Sequence, residues 1–148
     1  MAEETLAAAL EREHHEIDAG IEKYTASVGE TADVEALAGA LAALRRHIYL
    51  EEEFVFPSLR AAGMLGPILV MLREHGELWT LMDQLEQDAT LAVCARLTAR
   101  LDAHNTKEEP IVYPQMDAVL SEPAALELRR FLDSGSMPEG WVATQARS

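Results

Sequence analysis

Two histidine–glutamate phrases recur in this chain. Residues 47–57 read HIYLEEEFVFP and residues 104–114 read HNTKEEPIVYP, each a His-x-x-x-Glu-Glu followed by an apolar pair ending in Val, an aromatic and Pro. A shorter phrase repeats as well, REHHEI at 12–17 and REHGEL at 73–78. The order along the chain is therefore REH, HxxxEE, REH, HxxxEE. Imidazole and carboxylate are metal ligands, and on a helix residues i and i+4 stand one turn apart on the same face, so the His and first Glu of each phrase can reach one metal position together. A carboxylate has two oxygens and can bridge two ions, while neutral imidazoles complete each coordination sphere. Two histidines per ion and two bridging glutamates give each ion four protein ligands. A solvent-derived oxo or hydroxo bridge adds a fifth, and one position on each ion stays open. Mixed nitrogen and oxygen donors without thiolate suit iron or manganese, with zinc as an adventitious competitor.

That chemistry requires helices that aim these side chains at one point. Apolar residues recur at helical spacing almost throughout. The first helix carries Leu6, Leu10, Ile17, Ile21 and Tyr24, and Gly29 marks its end. The second starts near Asp33, carries Leu37, Leu41, Leu44, Ile48 and Val55, and fades after Pro57 toward Gly63. The third runs from about Pro67 through Leu85, the fourth from Asp88–Thr90 to Ile111, and a short fifth covers roughly 123–132. The expected fold is all-α, an antiparallel up-down four-helix bundle with a short C-terminal helix and an irregular tail. On the first helix His14 falls in phase with Leu10, Ile17 and Ile21, whereas His15 aligns with Glu11, Asp18 and Glu22 on the wet face. His47 and Glu51 share a stripe with Leu44 and Phe54, His75 with Met71, Leu78 and Met82, and His104 and Glu108 with Leu97, Leu101 and Ile111. The candidate metal ligands are therefore His14, His47, Glu51, His75, His104 and Glu108. Burying six such groups with no cation among them would cost several kcal/mol per ionised group.

Composition narrows the remaining choices. At 148 residues the chain fits one domain, read as a bundle over residues 1–132 with a C-terminal tail over 133–148. The tail is small and polar and is expected on the surface or loose, with Trp141 available to anchor it. A net charge of −14 makes nucleic acid and membrane surfaces poor partners. The single cysteine, Cys94, allows no internal disulfide and falls in phase with Leu97 and Leu101, as a buried thiol would. With no N-terminal apolar run of signal length, the expected location is the cytoplasm. Pro110, inside the fourth helix, is expected to bend it near the site. Trp79, Phe54, Phe56 and Tyr113 are expected to pack around the centre.

The segments EHHEID, HIYLEEEFVFP, REHGEL and HNTKEEPIVYP resemble the hemerythrin-like family, the His-His-Glu cation-binding domains, over roughly residues 5–120. The resemblance implies a non-haem di-iron centre: two iron ions with an oxo or hydroxo bridge, on the same six residues. Glu52 and Glu109 are second choices as ligands; their phase sets them off the central stripe, where hydrogen bonding to ligands or solvent is expected. Oxygen-carrying members place a second histidine four residues after the one on the third helix and an Asp on the fourth. Here those places hold Trp79 and Glu108, as in the six-ligand branch, so both irons could be open. The resemblance implies a small-molecule partner, O2, NO or peroxide. The first functional reading is a protein binding O2 or NO for sensing, storage or scavenging. The alternative is a di-iron enzyme decomposing peroxide or carrying out an O2-dependent oxidation, and a third reading is an iron reservoir. Ferritin-like bundles instead repeat Glu-x-x-His, which occurs here only from Glu11 to His14.

Overall fold

A computed structural model describes residues 4–147, so residues 1–3 of the expected first domain and residue 148 of the tail lie outside it. Among the described residues every regular element is helical: α1 (Leu6–Ser27), α2 (Val34–Leu50), α3 (Phe56–Ala61), α4 (Leu65–Gln87), α5 (Leu91–Ile111), α6 (Tyr113–Val119) and α7 (Glu122–Ser134). The helix starts follow side-chain capping, which satisfies backbone N–H groups that have no partner in the first turn. Thr5 accepts from the Ala8 N–H at 3.0 Å, Asp33 from Ala36 at 3.0 Å and Thr90 from Val93 at 3.2 Å. Gly29 leaves α1 at φ +102°, a left-handed conformation that a side chain would strain.

The second long helix is not a single α-helix. Between α2 and α3 the chain widens into a π-turn over Glu51–Val55, closed by the Phe56 N–H donating to the Glu51 carbonyl. Pro57 follows directly. It has no N–H, and its ring would crowd the carbonyl one turn back, a conflict that a widened turn relieves. In the second copy of the phrase, α5 continues through Pro110, ends one residue later at Ile111, and resumes as α6 after Val112.

The four long helices pack in a ring: α1 on α2 and α5, α4 on α5 and α2. Their inner faces form two apolar clusters. One gathers Ile17, Leu44, Leu78 and Leu101, the other Leu10, Leu50, Met71 and Val112. On each long helix the inward histidine falls where the chain passes from one cluster to the other, so a polar layer crosses the core between them. Cys94 is buried in the first cluster, and that burial raises its thiol above the ordinary value. The tail is not loose: Ala143 is fully buried, and a 3-10 turn over Thr144–Ala146 packs on α4. No helix among the described residues is long and apolar enough to cross a membrane.

Candidate metal centre

All six predicted ligands meet in the polar layer, and none is more than 2% exposed. They form two overlapping groups, His14, His47, Glu51 and Glu108, and Glu51, His75, His104 and Glu108. Within each group one ligand atom per residue lies within 4.8 Å of the others. The two glutamates belong to both groups and each pair of histidines to one. His15 is exposed and takes no part, as its helical phase requires.

Each inward histidine is held from behind by a carboxylate. Nδ1 of His14 lies 3.2 Å from Glu109, that of His47 2.8 Å from Glu13, that of His75 2.9 Å from Glu52 and that of His104 2.9 Å from Glu74. A carboxylate only accepts, so each Nδ1 carries the donated hydrogen, and a neutral ring then turns the lone pair of Nε2 toward the centre. The pairing obeys the repeat. The Glu of each REH holds the histidine of the next HxxxEE, and the second Glu of each HxxxEE holds the REH histidine of the other copy. Glu52 and Glu109 therefore do hydrogen-bond to the inward histidines. Glu13 and Glu74 were not singled out by sequence reasoning. They are half-buried neighbours of the inward histidines on α1 and α4, and the signal that could have found them is the invariance of REH between the copies.

The copies differ at one position facing the site. Phe56 stacks on His75 with ring centroids 5.3 Å apart, and its counterpart Tyr113 stacks on His14 at 5.5 Å. Tyr113 adds a hydroxyl whose single hydrogen has Glu51 at 2.8 Å and Glu108 at 3.0 Å as acceptors, and whose oxygen lies 2.8 Å and 3.1 Å from Nε2 of His14 and His47. Burial, reinforced by the Glu108 and Glu51 carboxylates, holds this phenol well above its usual range, so it is protonated. Of the other aromatics, Phe54 packs with Tyr49 and Phe131, and Trp79 with Trp141.

The electrostatics are those of a site built for positive charge. Burial disfavours charged imidazole, yet the carboxylates of Glu51 and Glu13 outweigh it and raise His47 to about 10. Against the same opposition Glu108 and Glu74 raise His104 to about 10, and His75 is raised by Glu51 and Glu52. Burial would push Glu51 up, but His47 and His75 hold it well below the carboxylate range. Even so, Glu108 Oε2 is fully buried and lacks a hydrogen-bond partner, and Glu51 Oε1 and His75 Nε2, equally buried, face only each other at 3.1 Å. Such atoms are costly unless something coordinates them. Oxygen and imidazole-nitrogen donors, converging and short of donors to satisfy them, fit a metal cation.

Fold and site together define a helical domain able to hold metal cations on buried histidine and glutamate. The family model for the hemerythrin HHE cation-binding domain matches residues 5–116, and the chain belongs to that family. No curated protein and no solved structure matched the chain.

Proposed function

We propose that the protein is a non-haem di-iron protein which binds a small ligand, O2 or NO, for sensing, storage or scavenging. The observation that carries this reading is the pair of four-residue clusters sharing Glu51 and Glu108, with Glu108 Oε2 buried and without a partner. His14 and His47 would hold one iron and His75 and His104 the other, with Glu51 and Glu108, common to both clusters, available to each, within an antiparallel up-down four-helix bundle. The bound pair supplies reversible one-electron chemistry and an open position for a diatomic ligand. Glu13, Glu52, Glu74 and Glu109 keep each imidazole in the tautomer and orientation that coordination needs. Tyr113 fills the space beside His14 and His47 with its hydroxyl, whereas Phe56 offers no polar atom beside His75 and His104. A small ligand would accordingly be received on the Phe56 side. The apolar clusters above and below the layer exclude bulk water. The charge of the chain argues against nucleic acid and membrane partners, and its lone buried cysteine is compatible with the cytoplasm.

One observation favours a second reading, in which the centre decomposes peroxide or performs an O2-dependent oxidation. The Tyr113 hydroxyl is a buried proton donor within hydrogen-bond reach of both shared carboxylates. A single experiment addresses both readings: metal content per chain after anaerobic iron loading, then optical spectra of the same sample before and after O2 and then peroxide. Two irons per chain and a stable, reversible O2 or NO adduct are expected. Catalytic release of oxygen from peroxide would select the enzyme, and failure to retain iron with the helices intact would refute both.

A further inference from the structure

The repeat makes two faces of the centre comparable position by position, and they have diverged. Behind His14 and Glu109 the surface opens into a cavity of about 300 Å³ lined by His15, Asp18, Asp102 and Asn105. Asn105, one of the lining residues, is only 7% exposed, and its Oδ1 is fully buried without a hydrogen-bond partner. Burial raises the Asp18 carboxyl above its ordinary value; His14 and His15 oppose that rise, and Glu22 and Asp102 add to it. A cation in the cavity would relieve their mutual repulsion.

The other copy holds Gly76, Trp79, Arg45 and Ile48 where this one has His15, Asp18, Asp102 and Asn105. There the C-terminal strap closes the face. Trp141 packs on Trp79 with centroids 5.5 Å apart, and Arg45 lies 4.8 Å from the Trp79 ring. Gly76 leaves room for the strap, since a Cβ there would stand 2.8 Å from the Cβ of Gln145. Thr144 donates from its backbone N–H and its hydroxyl to Glu52 Oε1, at 3.0 and 2.8 Å. The space that remains beside Glu52, about 290 Å³, is edged by cationic Arg60. The strap lies beyond the residues matched by the family model.

We propose that the acidic cavity is the port by which a divalent cation reaches the centre, with Asp18 and Asp102 attracting it, Asn105 and Glu109 lining the wall, and His14 at the floor. The strapped face is neutral or basic at the same positions, and the space left beside Glu52 is edged by Arg60, so it lacks the port's attraction for a cation. The port rests on the metal reading above, and the test separates the two.

Metal-free full-length protein is mixed rapidly with cobalt(II), whose visible absorption reports entry into a nitrogen and oxygen donor set, and final cobalt content is measured on the same samples. At low ionic strength Asp18→Asn with Asp102→Asn should slow loading roughly tenfold, within the range of electrostatic steering through a charged cleft, while final content stays at the wild-type value. The same charge loss on exposed α7, Glu122→Gln with Glu127→Gln, should load at the wild-type rate. Asn105→Ile, which installs the residue of the closed face, should also slow loading without lowering final content. Wild-type rates in both cavity variants, or equal slowing in the α7 control, would overturn the port. Failure of the wild-type chain to take up cobalt would remove the metal reading and the port with it.

Discussion

Replacing Glu74 by Ala tests whether the outer carboxylates hold the histidines for metal. Glu74 accepts from Nδ1 of His104 at 2.9 Å and also pairs with Lys107. A hydrogen bond to a charged group contributes about 1.5–3 kcal/mol. At about 1.4 kcal/mol per tenfold, its loss predicts roughly one to two decades in metal affinity, the range found when partners of metal-bound histidines are removed. The loss should fall on one ion, because Glu74 touches only the histidine pair of α4 and α5. Glu74→Gln keeps an accepting oxygen and should lose less. Lys107→Ala removes an exposed ion pair, which contributes about 1 kcal/mol or less, and should leave the metal in place. Competition with a graded chelator, read as metal content per chain, should show one ion leaving early and one near the wild-type point. Glu13→Ala should give the mirror result for the pair of α1 and α2. Wild-type affinity at both sites in folded Glu74→Ala would refute the assignment, as would equal weakening of both by Glu74→Ala and Glu13→Ala alike.

Three further outcomes are expected. His14→Ala should empty the centre of metal while His15→Ala leaves it filled; metal content showing the reverse would mean that the α1 face is assigned wrongly. Tyr113→Phe makes the two halves alike, so nitric oxide titration of the iron-loaded protein should gain a second binding event per chain, and an unchanged stoichiometry would show that the hydroxyl does not decide which side is open. In the metal-free protein, His47 and His104 are raised to about 10 against an ordinary 6.5. Between those values the folded chain keeps protons that the unfolded chain has released, so stability is full below about pH 6.5 and is lost as pH rises toward 10. Thermal unfolding of metal-free protein should therefore drop across that window while the metal-loaded protein changes less, and a flat metal-free profile would contradict the assigned charges.

The six inward residues were legible because helical phase alone decides which way a side chain points once the helix is certain, and each had apolar neighbours three or four positions away. Glu13 and Glu74 were harder. Each is adjacent to an inward histidine and so points about 100° off the buried stripe, where an acidic residue passes for surface. Only the partner helix shows that this direction leads to the back of another imidazole. Tyr113 was read as packing, which its ring does; its hydroxyl matters because of where α6 starts, and that depends on how the chain breaks at Val112. The π-turn arises from Pro57 acting on the preceding turn, a local conflict with more than one resolution. The tail has no periodicity to read. It is ordered by long-range contacts with Gly76, Trp79 and Glu52, residues far from it in sequence.

A repeated phrase builds two equivalent half-sites and, left unaltered, would build nothing else. Four carboxylate–imidazole pairs related by the repeat explain why REH and HxxxEE are kept in both copies, since losing any one Glu leaves a buried ring without its partner. Equivalence cannot distinguish where a ligand binds from where it does not, nor the way in from the closed side. Those distinctions have to reside where the copies depart from each other, and two of the departures bear on the centre. One is the aromatic before the proline, Phe56 against Tyr113, which places a hydroxyl beside the shared glutamates and the His14–His47 pair but not beside the His75–His104 pair. The other is the outer face, where His15, Asp18, Asp102 and Asn105 stand against Gly76, Trp79, Arg45 and Ile48, an acidic cavity against a surface shaped for the strap. Exchanging residues between the copies is therefore more informative than removing them. Asp18→Trp or Asn105→Ile makes the open face resemble the closed one and leaves every inward ligand in place, so a change in loading without a change in capacity separates how the centre is reached from what holds it.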